Sequence, residues 1–209
     1  MNSRNLVKLF FSTLLIGAVT TGVVGFVVQW EKFEPSFANF DILEILSVFF
    51  WLIGIGFIFS LVSQMGFFAY LTVHRFGLGM FRSSKLWNGV QIILTVFVLF
   101  DLVYLRYTFF AEKGESYFSY IALAVFVLIV GLIFAWQKAR LTNKEAFIPA
   151  LFFMVVITII EWMPVLRVNE HSWLYLMLIP LLVCNAYQLL VLQKLNEASE
   201  IQRKQAHKV

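Results

Sequence analysis

The chain has 209 residues, of which 61% are hydrophobic and only 13% charged, and its mean hydropathy is +0.85. A soluble domain of this length has too small an interior to hide so much apolar surface, so the composition excludes an ordinary soluble protein. The net charge of +4 does not indicate nucleic-acid binding, because the basic residues are distributed as in a membrane protein.

Six apolar segments follow one another along the chain, each near the roughly 20 residues that a helix needs to cross a bilayer. We predict an all-α polytopic membrane protein whose single transmembrane domain, residues 1–209, is a bundle of six helices. The first segment is too long for the apolar part of a signal peptide, so we expect it to be retained. The predicted helices are 6–30, 42–73, 86–106, 117–137, 146–166 and 173–194, followed by a cytoplasmic tail at 195–209 that either continues the last helix or is solvated.

The basic residues alternate between two sides of the predicted bundle. Twelve of the 16 Lys and Arg residues lie in the N-terminal stretch, the second and fourth connections and the C-terminal tail. Membrane proteins keep Lys and Arg on the cytoplasmic side. We therefore expect a multi-pass plasma-membrane protein with both termini in the cytoplasm.

Small residues recur at four-residue spacing in the first predicted helix, where Ala18 pairs with Gly22 and Thr21 with Gly25. This spacing lets two helix backbones approach closely in a membrane. The four residues form either an internal packing face or a docking face for a helix of a partner, and packing is the more frequent use.

The second segment exceeds the bilayer thickness, so we expect it to tilt, to kink or to extend beyond the membrane. Asp41 and Glu44 have the spacing of a capping box at its start. Glu44 is thereby explained as a capping group.

Ionisable residues inside membrane segments are costly and are candidates for function. Asp101 in the third predicted helix and Glu161 in the fifth lie at similar depth near the outer boundary, followed by Arg106 and Arg167. Two carboxylates at one level could hold a cation, share a proton or bind a small ligand. The alternative, which we weigh more heavily, is structural pairing with a basic residue such as Arg167 or Lys113.

Two local expectations accompany these four candidates. Asp101 and Arg106 should not share a helix face, because five residues turn about 140° beyond a full turn. Pro164 predicts a departure from ideal helix close to Glu161, which would favour a cavity there.

Motifs for catalysis, nucleotide binding and metal binding are absent from the sequence. It contains no H-E-x-x-H, G-x-S-x-G, C-x-x-C or P-loop, and its single cysteine, Cys184, has no partner for a disulfide. We therefore predict no enzyme activity, no catalytic or metal-binding residue and no cofactor. Four further polar residues are expected to form hydrogen bonds between helices: Gln64, Asn88, Asn185 and Gln188.

Three stretches carry a resemblance to a known family. They are SRNLVKLFFSTL at 3–14 with its Gly- and Thr-rich continuation to Phe26, HRFGLG at 74–79, and WNG at 87–89. Through them the chain resembles the KbaA family, the KinB-signalling pathway activation proteins of spore-forming Bacillus relatives. The resemblance implies a membrane accessory protein that the sensor kinase KinB needs to feed the phosphorelay starting sporulation. It implies no catalytic or ligand residue.

Two hypotheses follow for the function. In the first, the protein contacts a KinB-like membrane kinase, either laterally through the small-residue face of the first helix or through its basic cytoplasmic loops. In the second, the protein is a small transporter or ligand sensor that binds a small molecule through Asp101 and Glu161.

Overall fold

A computed structural model of the protein describes residues 3–111, 116–168 and 170–206. Six helical stretches in these ranges are long and apolar enough to cross a membrane, which confirms the predicted all-α class. The helices are α1 (Ser3–Val28), α2 (Trp30–Ala38), α3 (Ile42–Phe81), α4 (Ser84–Phe110), α5 (Tyr117–Leu141), α6 (Phe147–Phe152), α7 (Thr158–Leu166) and α8 (His171–Ala206). A 3-10 turn at Lys144–Ala146 precedes α6, and a π-helical turn at Phe153–Ile157 joins α6 to α7.

The chain divides into two compact units. The first contains the described residues of 1–64 and 171–209, and the second contains those of 65–170. Helix α3 contributes its first part to the first unit and its last part to the second. With 40 residues it is about 60 Å long, so it exceeds the thickness of a bilayer core as predicted.

In the first unit, close approach of α1 to α3 depends on glycine. A Cβ atom at Gly56 would lie 2.7 Å from the Ala18 Cα and the Gly17 carbonyl oxygen, and a Cβ at Gly17 would lie 2.7 Å from the Ser60 Cβ. Atoms that are not bonded to each other cannot approach this closely. The two helices therefore pack backbone against backbone at this point, as small residues allow in membranes.

The small-residue face predicted on α1 lies at this same contact. Ala18 and Thr21 are buried against Gly56, and Gly22 and Gly25 are buried as well. Phe49 covers Gly22 and Leu52 covers Gly25. Helix α3 therefore occupies this face within the first unit, and a partner helix could reach it only by displacing α3.

The connection between α1 and α3 contains a short helix, α2, that the sequence reasoning did not predict. Phe26 of α1 packs edge-on against Phe33 and Phe37 of α2, with ring centroids 5.5 and 5.3 Å apart. Phe33 is buried. These ring contacts hold α2 against the end of α1.

The predicted helix cap is present at the start of α3. The Asp41 carboxylate accepts a hydrogen bond from the backbone N–H of Glu44 at 3.2 Å, which confirms Asp41 as the capping residue. The Glu44 carboxylate instead accepts from the Ser36 hydroxyl at 2.7 Å and so ties α2 to α3. Glu44 therefore has a structural role, but its side chain is not the capping group that the spacing predicted, because the Asp41 N–H donates to the Ser36 carbonyl instead.

Helix α8 continues through much of the predicted tail and reaches Ala206. The buried Asn5 side chain of α1 donates to the Leu195 carbonyl at 3.1 Å and to the Ser199 hydroxyl at 2.8 Å. These bonds fasten the first part of the predicted tail to the beginning of α1.

The second unit is built around the π-helical turn. Phe153 is fully buried and packs edge-on against Phe67, while the Tyr70 hydroxyl donates to the Pro149 carbonyl at 2.9 Å. The departure from α-helix lies at Phe153–Ile157, whereas α7 continues through Pro164. The irregularity predicted beside Glu161 is thus misplaced: it lies in the π-helical turn that ends at Ile157, where the hydrogen bonds span five residues, and Pro164 is accommodated inside α7.

Candidate functional site

A groove between α4 and α7 in the second unit contains three of the four predicted ligand-binding residues. Asp101, Arg106 and Arg167 all line it, and its volume is about 550 Å³. The remaining lining residues are apolar: Val98, Leu102, Leu105, Phe109, Phe110, Ile159, Ile160, Met163 and Leu166. Asp101 lies near one end of the groove and the two arginines lie roughly 7–8 Å further along it. An apolar groove with a few charged groups is typical of a small-molecule site.

Arg106 is the most enclosed charge of the groove, with 8% of its surface exposed. Its guanidinium carbon lies 5.3 Å from the ring centroid of the buried Tyr120 on α5, a cation–π contact. The ring orients the guanidinium, and burial strengthens its attraction for an anion because fewer water molecules screen it.

Asp101 and Arg106 both line this groove, although they do not share a face of α4. Their Cα positions do differ by about 140° around α4. The long arginine side chain compensates for this angle, because its charged end lies several bonds from the helix.

Glu161 is not among the residues that line this groove. Its side chain is 6% exposed and lies against Gly66 of α3, where an added Cβ would overlap the Glu161 carboxylate. The structure therefore places one of the two predicted carboxylates in the groove and the other beside the backbone of α3. The sequence indicated the depth of the two carboxylates in the membrane but not their positions around the bundle. It therefore could not show that they have different surroundings.

A second cluster joins the end of α3 to the start of α4. The Trp87 indole N–H donates to His74 Nδ1 at 3.1 Å, the Trp87 ring stacks on Phe81, and a Cβ at Gly77 would lie 2.5 Å from the indole. Trp87 is 5% exposed. Sequence reasoning placed His74, Gly77 and Trp87 among the residues of the family resemblance, and it missed that they form one contact.

The hydrogen bond between Trp87 and His74 makes a measurable prediction. Trp87→Phe keeps an aromatic ring near Phe81 but removes the donor, so we expect the free energy of unfolding in detergent to fall by about 0.5–1.5 kcal/mol. Trp136→Phe is the matched control, because Trp136 is 53% exposed. Thermal unfolding followed by size-exclusion chromatography measures both variants. Equal stability of wild type and Trp87→Phe would show that the bond contributes nothing.

Polar residues of α3 and α8 form a buried network in the first unit. The Ser63 hydroxyl donates to Asn185 Oδ1 at 2.7 Å and accepts from Gln188 Nε2 at 2.7 Å. This confirms interhelical hydrogen bonding for Asn185 and Gln188. The Gln64 amide differs from the expectation, because it donates to Ser60 of its own helix at 3.3 Å.

Basic residues near the ends of the helices remain open to solvent or lipid headgroups. Arg75, Arg82 and Lys85, around the connection between α3 and α4, are exposed. In the part of the chain that the structure describes, no group of three His, Cys, Asp or Glu residues is placed to hold a metal ion.

Comparison with known proteins identifies the family of this chain. The sequence model of KbaA, described as KinB-signalling pathway activation in sporulation, matches residues 17–195. The chain belongs to the KbaA family. A relative from Bacillus subtilis described as a "KinB-signaling pathway activation protein" is 54% identical over 194 residues, which are 93% of this chain and 98% of the relative. No solved structure matches the chain.

Membership of the KbaA family confirms the resemblance drawn from residues 3–26, 74–79 and 87–89 and associates the chain with KinB signalling in sporulation. The family is described as a signalling activator and not as an enzyme. A ligand-binding role for Asp101, Arg106, Arg167 or Glu161 stays a prediction.

Proposed function

We propose that this member of the KbaA family promotes signalling by a KinB-like sensor histidine kinase in the plasma membrane at the start of sporulation, by contact with the kinase in or at the membrane. The match of the family sequence model to residues 17–195 carries the proposal. The relative of 54% identity, itself described as a KinB-signalling pathway activation protein, supports it. In this role the chain would increase the flow of phosphoryl groups from the kinase into the phosphorelay.

The orientation that this function requires has both termini in the cytoplasm. The concentration of Lys and Arg in alternate connections supports it. The connection between α3 and α4 is then cytoplasmic, on the side where the kinase would transfer its phosphoryl group.

The contact surface proposed for the kinase is this connection, with Arg75, Arg82 and Lys85 exposed. The hydrogen bond between Trp87 and His74 joins the two helices on either side of this connection. The small-residue face of α1 is a weaker candidate, because α3 covers it within the first unit. A basic surface of this kind fits an acidic cytoplasmic surface of the kinase, since complementary charge directs association.

Complementation tests the function. The chain is expressed in Bacillus subtilis lacking its own relative, and a reporter of KinB-dependent sporulation is measured in strains with and without KinB. We expect the chain to restore reporter activity only where KinB is present. Failure to restore it despite normal membrane levels, or restoration without KinB, would contradict the proposed function.

A separate set of substitutions tests the proposed contact surface. Changing Arg75, Arg82 and Lys85 together to Gln should reduce the restored reporter activity, because the positive charge facing the kinase is lost. Changing Arg140 and Lys144, two exposed basic residues of another connection, to Gln is the control. Equal activity of both variants and wild type would exclude the connection between α3 and α4 as the contact surface.

A second candidate function is ligand sensing, and the observation that favours it is the groove lined by Asp101 and Arg106. Asp101→Asn should then abolish reporter activity while the protein reaches normal membrane levels. Full reporter activity with Asp101→Asn would contradict a sensing role for Asp101. Kinase activation would then remain as the proposed function. Reduced protein levels would instead indicate a structural role.

A further inference from the structure

We propose that a basic groove between the start of α1 and the last part of α8 binds an anionic phospholipid, with the phosphate at Lys8 and Lys194 and an acyl chain along α1. The groove lies within the first unit. This inference goes beyond the signalling function and does not depend on it. It rests on three properties: cations from two helices, their level at the end of the apolar spans, and an exposed apolar stripe that leads away from them.

Two helices that run in opposite directions form the groove. The buried Asn5 side chain of α1 donates to the Leu195 carbonyl and the Ser199 hydroxyl of α8. Further along α1, the Thr13 carbonyl accepts from the Cys184 thiol, with a sulfur–oxygen distance of 3.9 Å. These contacts fix the register of the two helices at this end, and the groove beside them has a volume of about 700 Å³.

Three exposed cations line the groove: Arg4, Lys8 and Lys194. Lys8 follows Asn5 by three residues and Lys194 precedes Leu195 by one. Because the helices are antiparallel, both lysines lie on the side of the Asn5 bonds that faces away from the termini, one on each helix. Arg4, one turn before Lys8, adds a third cation nearer the termini. Such groups can bind the oxygens of one phosphate together.

The two lysines also mark the ends of the apolar spans. No Lys, Arg, Asp or Glu occurs between Lys8 and Glu31, or between Glu170 and Lys194. Each uncharged stretch slightly exceeds the roughly 20 residues that cross a bilayer core, so both lysines lie where lipid chains meet headgroups. With both termini in the cytoplasm, this is the inner leaflet, whose anionic lipids attract basic pockets between membrane helices.

An apolar stripe, defined as Phe11, Leu15 and Val19, continues the face of α1 that carries Arg4. Phe11 and Leu15 follow Arg4 by seven and eleven residues, which is close to two and three full turns. Phe11 lines the groove, and Phe11, Leu15 and Val19 are 58%, 61% and 58% exposed. The order along α1 is thus cations and then apolar stripe, as headgroup and acyl chain follow each other in a lipid. A free phosphate or an acidic protein segment would leave the stripe unused.

The charge of the groove favours an anionic headgroup over a zwitterionic one. Glu197, the carboxylate of α8 that is closest in sequence to Lys194, accepts a hydrogen bond from Gln193 at 2.8 Å and does not line the groove. The described residues that line it carry three positive charges and no carboxylate. The ammonium group of a zwitterionic headgroup would therefore be repelled.

Binding to the full chain purified in detergent tests the proposal, with native mass spectrometry as the measurement. The probes are dioleoyl phosphatidylglycerol, dioleoyl phosphatidylcholine and glycerol 3-phosphate, which has the phosphate without acyl chains. We expect the first to bind more tightly than the other two. Lys8→Gln combined with Lys194→Gln should weaken it by about tenfold or more, since each basic residue near lipid headgroups contributes about fivefold.

Matched controls separate the groove from net charge and from folding. Arg140→Gln combined with Lys144→Gln removes the same charge from an exposed connection of the second unit and should bind like wild type. Ala198→Trp should block the groove while all three cations stay in place, because Ala198 lines it. Ile201→Trp, three residues further along α8 at an exposed side chain, should leave binding unchanged.

Several results would overturn the proposal. They are equal affinity of wild type for phosphatidylglycerol and phosphatidylcholine, equal weakening by the two double variants, and unchanged binding by Ala198→Trp. Glycerol 3-phosphate binding as tightly as the lipid would identify a site for a free phosphate and contradict the lipid. Matching elution profiles and melting temperatures across the variants show that each difference arises in the groove and not from unfolding.

Discussion

Gly56→Ala is expected to destabilise the first unit by about 1–3 kcal/mol, and Gly56→Leu to prevent its folding. The added carbon at Gly56 would lie 2.7 Å from the Ala18 Cα and from the Gly17 carbonyl oxygen, and 2.9 Å from the Thr21 Cβ. Two of these three are backbone atoms, which cannot rotate away. The strain is relieved only if α1 and α3 separate, which loses the packing of the whole small-residue face.

A matched control lies two residues away on the same helix. A Cβ at Gly54 meets nothing within 4 Å. Gly54→Ala should therefore be neutral or stabilise the protein by up to about 1 kcal/mol, the difference in helix propensity between the two residues. Thermal unfolding in detergent compares the two variants. Equal melting temperatures for Gly54→Ala and Gly56→Ala would show that α1 does not pack against α3 as described.

Gly66→Ala is expected to destabilise the second unit, and Glu161→Ala in the same molecule to reduce that cost. A methyl group at Gly66 would overlap the Glu161 carboxylate, whose side chain is 6% exposed and has little room to move. The substitution alone should cost about 1–3 kcal/mol. Shortening Glu161 frees the space that the new methyl group needs.

A double-mutant cycle measures this coupling. The cost of the double variant should be smaller than the sum of the single costs by about 0.5–3 kcal/mol, the range for residues in contact. Gly79→Ala combined with Glu161→Ala is the control, because a Cβ at Gly79 meets nothing within 4 Å and its effect should add. Additive costs for Gly66→Ala and Glu161→Ala would contradict the contact between them.

The six membrane-spanning segments could be predicted because each is recognised by its apolar composition over some 20 residues. Neighbouring helices do not alter this property. The Asp41 cap was predictable for a similar reason, since cap and N–H lie three residues apart. Helix α2 was missed because its nine residues include Pro35 and three charges, too few and too interrupted for a periodic pattern.

Contacts between distant residues could not be predicted from the sequence. Gly66 and Glu161 are far apart along the chain, and helical periodicity identifies a face without identifying the helix that covers it. For the same reason Asp101 and Glu161 were expected to act together on the basis of depth alone. The direction of the Arg106 side chain, which lines the groove together with Asp101, also depends on tertiary packing. Here the Tyr120 ring lies against its guanidinium group.

Reconstitution with purified KinB tests most directly whether the protein promotes kinase signalling by contact. KinB is incorporated into vesicles alone, with the wild-type chain, or with the variant carrying Gln at positions 75, 82 and 85, and its autophosphorylation rate is measured. The account predicts a faster rate with wild type than with KinB alone, and a smaller gain with the variant. An unchanged rate, with both proteins folded and correctly inserted in the same vesicles, would contradict activation by contact.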